Sequence, residues 1–100
     1  MKPQRIQLSR RAGFNLQAAS LALNGLPAVN CARPSKWGNQ NRKTPDVTNY
    51  YVVACFRDDL RANPKLVAEA KVELRGKNLG CFCKLTEECH CDVWLEIANK

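Results

Sequence analysis

The chain of 100 residues is 45% hydrophobic and 25% charged, which is typical of one small globular domain. These values exclude wholesale disorder, and the absence of an apolar run near about 18 residues predicts that no segment spans a membrane. The unusual features are six cysteines and a formal net charge of +7. We therefore expect a single domain over residues 1–100 that is defined by its cysteines and its positive charge.

The charge is unevenly distributed along the chain. Residues 1–45 hold eight basic side chains and no acidic one, whereas residues 46–100 hold eight basic and nine acidic ones, so +8 and −1 give the net +7. A basic half of this kind attracts anions such as phosphates, nucleic acid or an acidic protein surface. A solvated flank that keeps a small protein soluble explains the same pattern, and both interpretations stay open.

Arg10-Arg11 and the following Leu16–Val29 stretch superficially resemble a twin-arginine export signal. Polar residues, a glycine and a proline interrupt the stretch, whereas a signal peptide needs about 7–15 unbroken apolar residues. We therefore expect a cytoplasmic protein. Its cysteines are then reduced, and reduced cysteines are more often metal ligands or reactive groups than disulfides.

The first half of the chain predicts two strands around one helix. Arg5–Leu8 alternates between apolar and polar residues and predicts a short strand. Leu16–Leu23 predicts a helix that ends at Asn24-Gly25. Pro27–Ala32 predicts the second strand, and Ser35–Lys43 has no apolar face and predicts a loop.

The middle of the chain predicts a helix that begins at Thr44-Pro45-Asp46, because threonine caps helices and proline fits the first helical position. The Tyr50–Val53 segment alone is also typical of a strand. The four-residue spacing of Val52, Phe56 and Leu60 favours a helix.

The rest of the chain predicts a helix that begins at Asn63-Pro64 and ends at Gly76. Leu79–Cys83 predicts the third strand, with Leu79, Cys81 and Cys83 on one face. A last helix begins at Cys89 or His90.

This order predicts an α/β fold with a short, mainly parallel three-stranded sheet and three to four helices. A helical crossover between the second and third strands makes these strands parallel. Ligands of open parallel sheets bind beyond the carboxyl ends of the strands. We therefore expect the two loops that leave these ends, Arg33–Asn39 and Lys84–Cys91, to face each other.

The second of these loops carries a cysteine and histidine cluster. Cys81 and Cys83 flank Phe82, and Cys89-His90-Cys91 follow after five residues. Zinc takes four such ligands in a tetrahedron. The spacing predicts a zinc site of Cys81, Cys83, Cys89 and either His90 or Cys91.

Two other interpretations of the cluster stay open. One is a reactive thiolate at Cys89 or Cys91, favoured by a helix N-terminus and a neighbouring imidazole. In the other, the strand cysteines only fill buried positions and His90 caps the last helix. Cys31 and Cys55 are isolated in the sequence, and we expect them in the core.

The first loop combines cations, hydrogen-bonding groups and an indole. Arginine and lysine suit phosphate, a hydroxyl and an amide form hydrogen bonds, and tryptophan stacks on a base or sugar. Gly38 allows a backbone to approach a ligand closely. The alternative is a structural turn whose tryptophan packs into the core. The candidate ligand-binding residues are Arg33, Ser35, Lys36, Trp37 and Asn39.

With these motifs in place, the chain resembles a family of small phage and bacterial proteins known as domain of unknown function 4326. The resemblance rests mainly on Arg33–Asn39, on Leu74–Cys83 and on the following Cys89-His90 with Asp92. Family members tend to have proline and phenylalanine where this chain has Gln40-Asn41. They have alanine at the position of Cys91, which implies that His90 rather than Cys91 is the fourth ligand. Compared with these proteins, Gln17–Leu26 resembles an insertion. The resemblance implies a phage-type protein and gives no reaction.

Two functional hypotheses follow. In the first, zinc beside the basic aromatic loop helps to bind a nucleotide-like or phosphate-bearing ligand. Whether this is an enzyme stays open: a zinc with an open position would activate water, with His90 or Asp92 moving the proton. In the second, a phage-encoded inhibitor or adaptor binds a host protein or nucleic acid through its basic N-terminal half, and any zinc is structural. In a third hypothesis, the domain is a module that functions only within a larger assembly.

Overall fold

Three strands and four helices form the protein in a computed structural model that describes residues 2–41 and 44–100. In chain order the elements are β1 (Arg5–Gln7), α1 (Leu16–Asn24), β2 (Ala28–Asn30), α2 (Asn49–Arg61), α3 (Pro64–Glu73), β3 (Asn78–Cys81) and α4 (His90–Ala98). Among the described residues, no helix is both long enough and apolar enough to cross a bilayer.

The sheet confirms the predicted α/β class. Its strand order is β1-β3-β2, and both neighbours pair with the central strand in parallel, as the crossover predicts. Ile6 and Asn30 both lie opposite Gly80 of the central strand. All four residues of β3 are buried, which is expected for a central parallel strand covered on both faces.

The predicted starts and ends of the helices are confirmed in most places, with one correction. Thr44-Pro45-Asp46 does not begin α2: residues 45–47 form a turn, and the helix begins four residues after Pro45. The reason is that Thr48, rather than Thr44, caps the helix, because its hydroxyl accepts a hydrogen bond from the backbone N–H of Tyr51 at 3.1 Å. The Tyr50–Val53 segment is helical, as predicted.

The strands are shorter than predicted, and this matters for the cysteines. Because β3 ends at Cys81, Phe82 and Cys83 lie in a bend where strict alternation of faces no longer holds. The predicted loop after Ala32 is confirmed for its described residues up to Asn41, while Arg42 and Lys43 lie outside the described residues.

The core lies between the sheet and helices α2, α3 and α4. Its largest fully buried side chain is Trp94, and Cys31 is also fully buried, as expected. Cys55 is half-buried on α2. The core therefore ends directly at the cysteine cluster, because Cys81, Cys89 and the apolar residues belong to one packed group.

Gly80 is a sensitive position in this fold. A Cβ there would lie 2.9 Å from Leu8 Cδ2 and 3.1 Å from Leu16 Cδ1, so a larger side chain has to displace both leucines. We expect Gly80→Val to lower the free energy of unfolding by about 1–3 kcal/mol, the usual effect of overpacking. Chemical denaturation measures this change.

Candidate metal centre and its cavity

Four potential metal ligands converge where β3 ends and α4 begins. The sulfur atoms of Cys81, Cys89 and Cys91 and a ring nitrogen of His90 all lie within 4.8 Å of one another, and all four residues are buried. In a tetrahedral zinc site with Zn–S of about 2.3 Å and Zn–N of about 2.05 Å, sulfur and nitrogen are about 3.6 Å apart. Cys89 Sγ and His90 Nδ1 are 3.6 Å apart. The donor types and this distance fit zinc, while Cys91 Sγ lies 4.0 Å from the other ring nitrogen of His90, Nε2.

A hydrogen bond orients the ring of His90. Its Nε2 lies 2.7 Å from the backbone carbonyl oxygen of Cys31, and a carbonyl only accepts hydrogen bonds, so Nε2 carries the proton. In the neutral ring the lone pair is therefore on Nδ1, which faces Cys89 Sγ. Metal-binding histidines commonly use such a second partner to fix their tautomer. The loop after β2 thus supports a candidate ligand at the start of α4.

The close packing of the thiols shifts their pKa values in opposite directions. A hydrogen bond from Cys83 lowers the pKa of Cys81 to about 6, and a hydrogen bond from Cys81 holds the pKa of Cys89 below its ordinary value. The pKa of Cys83 is raised by its contact with Cys81, and the pKa of Cys91 is raised chiefly by Cys31. Thiolate, the form that binds metals, is thus favoured at Cys81 and Cys89.

His90 is subject to competing effects. Burial lowers its pKa, but the hydrogen bonds with Cys89 and with the carbonyl of Cys31 outweigh burial and raise it. A proton on His90 partly balances the negative charge of the thiolates. A metal ion at this position would replace that proton as the positive charge of the cluster.

The structure brings three of the four predicted metal ligands together and adds a fourth residue. Cys81, Cys89 and His90 belong to the converging group, and the group is completed by Cys91. Cys83 lies beside the group, with its Sγ 3.7 Å from that of Cys81. Cys83 lies in the bend after β3, yet its sulfur remains next to that of Cys81.

Arg5 of β1 holds the loop between the two halves of the cluster. Its guanidinium donates to the carbonyl oxygens of Leu85 and Glu87, both at 2.8 Å, and to that of Lys84 at 3.1 Å. It also pairs with the Asp92 carboxylate at 3.1 Å, and its side chain is only 8% exposed. The same carboxylate accepts a hydrogen bond from the backbone N–H of Cys89. Arg5 thereby fixes the chain just before the ligands of α4.

The loop after β2 faces this cluster across a cavity of about 430 Å³, which confirms the expected juxtaposition of the two loops. Arg33 and Asn39 line the cavity from one side, and Cys83, Cys89 and His90 line it from the other. The cavity therefore lies beyond the carboxyl ends of β2 and β3, as parallel sheets predict. Two of the five candidate ligand-binding residues line it.

The other three candidates in this loop have different surroundings. Trp37 is 5% exposed and packs edge-on against Trp94 with ring centres 5.3 Å apart, so its ring lies in the core. Lys36 lies over that ring and pairs with Glu69 and Glu73 of α3 at 3.2 and 2.9 Å. The hydrogen bond to Glu73 raises the pKa of Lys36.

Ser35 differs from its neighbours because its hydroxyl oxygen is buried without a hydrogen-bond partner among the described residues. Neither Ser35 nor Lys36 nor Trp37 is among the described residues that line the cavity. These three residues lie in the part of the loop that packs against the core and α3 rather than against the cavity.

Gly38 has a structural role in the loop. A Cβ at this position would lie 2.8 Å from Arg33 Cγ and 3.0 Å from the Arg33 backbone. The close approach predicted at Gly38 is therefore made by the chain's own Arg33. This contact folds the loop back on itself and places Arg33 at the cavity.

The cavity also contains groups that the sequence did not single out. Arg10 lies over the Phe82 ring, 4.0 Å from its centre, and Asn41 and Asn49 join Asn39 in the lining. Asn49 donates a hydrogen bond to the Glu87 carboxylate. These residues come from three distant segments that share no motif. Of them, only Arg10 stood out in the sequence, as part of the Arg10-Arg11 pair in the basic half.

Comparison with known proteins identifies the family. One family model matches residues 15–100, which begins after β1 and includes both loops of the cavity. Searches of curated proteins and of solved structures give no significant match. The chain therefore belongs to the family described as Domain of unknown function (DUF4326).

Proposed function

We propose that this domain binds one zinc ion through Cys81, Cys89, His90 and Cys91, and a phosphate-bearing, nucleotide-like ligand in the adjoining cavity. The convergence of four buried ligand atoms within 4.8 Å carries the proposal. Thiolate and imidazole together are the donors that zinc prefers in four-coordinate sites. The site needs reduced thiols, so the proposal includes a reducing, cytoplasmic compartment.

The lining of the cavity favours a ligand with both an anionic and a hydrogen-bonding part. Arg10 and Arg33 offer guanidinium groups for a phosphate. Glu87 and Glu88 also line the cavity, so the phosphate would lie on the arginine side, away from these carboxylates. The side-chain amide oxygens of Asn41 and Asn49 can accept hydrogen bonds from a base edge or from sugar hydroxyls, while their N–H groups donate to Asp59 and Glu87. With four protein ligands the zinc has no open position, and the proposed role is therefore binding rather than zinc-dependent hydrolysis.

Metal content and thiol counting test the zinc site. Protein purified without a histidine tag is expected to hold one zinc per chain. In the folded protein the thiols of Cys55 and Cys83 should react, because three of the six cysteines ligate and Cys31 is fully buried. Cys91→Ala should weaken zinc binding on the order of 100-fold or more, whereas Cys83→Ala should retain one zinc. Retention in Cys91→Ala with loss in Cys83→Ala would instead assign Cys83, and the absence of bound metal from the wild-type protein would refute the site.

Ligand binding is tested by titration of the zinc-loaded protein with adenosine monophosphate, adenosine and inorganic phosphate. Adenosine monophosphate is expected to bind most tightly, and Arg33→Ala should weaken it about tenfold through the lost charged hydrogen bonds. Arg61→Ala removes an exposed arginine that pairs with Asp58 on α2, and it should change nothing. Equal binding by wild type and Arg33→Ala would contradict the assignment of the cavity.

A second candidate function is a phage-type inhibitor or adaptor that binds a host protein or nucleic acid through its basic N-terminal half. The exposure of Arg10 and Arg11 favours it. Other cations of this half, Arg5 and Lys36, already pair with carboxylates of the fold. Charge reversal of Arg10 and Arg11 that abolishes a salt-dependent complex would select this function.

A further inference from the structure

A second concave surface lies where helices α2, α3 and α4 meet. It encloses about 580 Å³ and is larger than the cavity at the metal centre. None of its described lining residues lines the metal cavity, so the two sites are separate. Its apolar lining consists of Leu60, Pro64, Val67, Ala68, Val93 and Ile97.

The lining follows helical spacing on two neighbouring elements. Positions 64, 67, 68 and 71 of α3 and positions 93, 96, 97 and 100 along α4 and its end each repeat as i, i+3, i+4 and i+7. Each element thus turns one continuous face to the groove. Arg75 donates to the carbonyl oxygens of Ala98 and Lys100, which holds the carboxyl ends of α3 and α4 together. Two helix faces side by side form an elongated seat that suits a third helix.

The charges around this apolar floor are mostly positive. Arg57, Arg61, Lys71 and Lys100 line the groove with one carboxylate, Glu96. Glu96 is shared between Arg57 at 3.4 Å and Lys100 at 3.6 Å. Lys71 has no carboxylate within ion-pair distance among the described residues. Arg61 pairs with Asp58 at 2.7 Å. The four rim cations thus meet two carboxylates, Glu96 and Asp58, so the rim keeps a net positive charge.

We propose that this groove binds an acidic amphipathic helix of a partner protein. Apolar side chains of the partner would cover Pro64, Val67 and Ile97, which are exposed or half-buried, and its Asp or Glu side chains would meet the cations of the rim. Nucleic acid fits less well, because the floor of the groove is apolar and offers no stacking platform. A second copy of this chain fits less well too, because the chain carries a net charge of +7.

Synthetic peptides test this proposal on the zinc-loaded protein. The probe is an 18-residue helical peptide with leucines at i, i+3, i+4 and i+7 spacing and glutamates on both flanks. The controls are the same peptide with lysine for glutamate and a peptide of identical composition in scrambled order. The acidic probe is expected to shift the methyl NMR signals of Val67 and Ile97 and to bind on the order of tenfold more tightly than either control. The double variant Lys71→Glu, Arg61→Glu should reverse the preference toward the lysine peptide.

Four results would overturn the proposal. They are equal binding of the acidic and lysine peptides, equal binding of the scrambled peptide, peptide-induced shifts confined to the metal cavity, and binding of duplex DNA through the same residues in preference to the acidic peptide. Analytical ultracentrifugation of the protein alone tests self-association through the groove. A dimer that is dissociated by Val67→Glu would also refute the proposed partner helix. Because both substitutions of the reversal variant lie on exposed positions, its circular dichroism and zinc content should match wild type.

Discussion

Cys89→Ala is expected to abolish zinc binding and to lower the melting temperature by on the order of 20 °C. A metal ion that binds only the folded state at about 1,000 times its dissociation constant adds about 4 kcal/mol to the free energy of unfolding. In a domain of this size each kcal/mol corresponds to a shift of about 4–8 °C. Cys89 is 1% exposed and contacts His90 Nδ1, so no water replaces it easily as a ligand. Thermal unfolding followed by circular dichroism, with metal content measured on the same sample, checks this.

Cys55→Ala is the matched control for this prediction. It removes a half-buried thiol from α2 that does not belong to the converging group of ligands. It should retain one zinc and lose at most about 1 kcal/mol. Treatment of wild type with a strong chelator should bring its melting temperature close to that of Cys89→Ala. If wild type and Cys89→Ala melt at the same temperature and neither holds metal, the cysteines only fill the core.

The sequence was sufficient for the order of the elements, because each depends on local signals. Asn15 and Asn63 cap their helices, and the apolar spacing in α2 outweighs the strand-like Tyr50–Val53 segment. The parallel sheet then follows from the crossover rule. The juxtaposition of the two loops follows in turn from the sheet, so the general position of the cavity was predictable.

The choice of ligands within the cluster was not fully predictable. Cys83 does lie beside Cys81, as predicted, but Cys91 is the residue that joins the group whose ligand atoms all lie within 4.8 Å of one another. β3 ends at Cys81, where its pairing with β1 ends, and its pairing with β2 ends one residue earlier at Gly80. Cys91 is brought to the cluster by the first turn of α4. Family members have alanine at this position, so the family pattern could not predict that the thiol of Cys91 joins the cluster.

The roles of single residues in the basic loop depend on contacts that no local pattern reveals. Trp37 and Lys36 have the composition of a ligand-binding loop, yet a tryptophan can stack on a ligand or pack into a core. The partner that decides this is Trp94, whose indole N–H donates to the Trp37 carbonyl at 2.8 Å from 57 positions away. For Lys36 the partners are two glutamates of α3. Arg33 is left as the cation of this loop that lines the cavity.

Arg5→Met is expected to weaken zinc binding about 10–100-fold, although Arg5 is not a ligand. Loss of partners that support metal ligands typically has an effect of this size. The substitution leaves three carbonyl oxygens of residues 84–87 and the Asp92 carboxylate without their guanidinium donor. The segment before Cys89 then loses its fixed position, and ordering it again opposes binding of the metal. Competition with a chromophoric chelator measures the affinity.

Arg61→Met is the control, because Arg61 also pairs with a carboxylate, Asp58, but both side chains are largely exposed and neither residue lines the metal cavity. Such a surface pair contributes about 0–1 kcal/mol, so zinc affinity should be unchanged. Arg5→Lys should recover little, because an ammonium group lacks the planar fork that reaches several carbonyl oxygens at once. The absorption spectrum of the cobalt-substituted protein separates positioning from general stability, since a displaced Cys89 alters the spectrum even where the fold persists. Unchanged zinc affinity and an unchanged cobalt spectrum in a folded Arg5→Met protein would show that the ligands of α4 are held without this arginine.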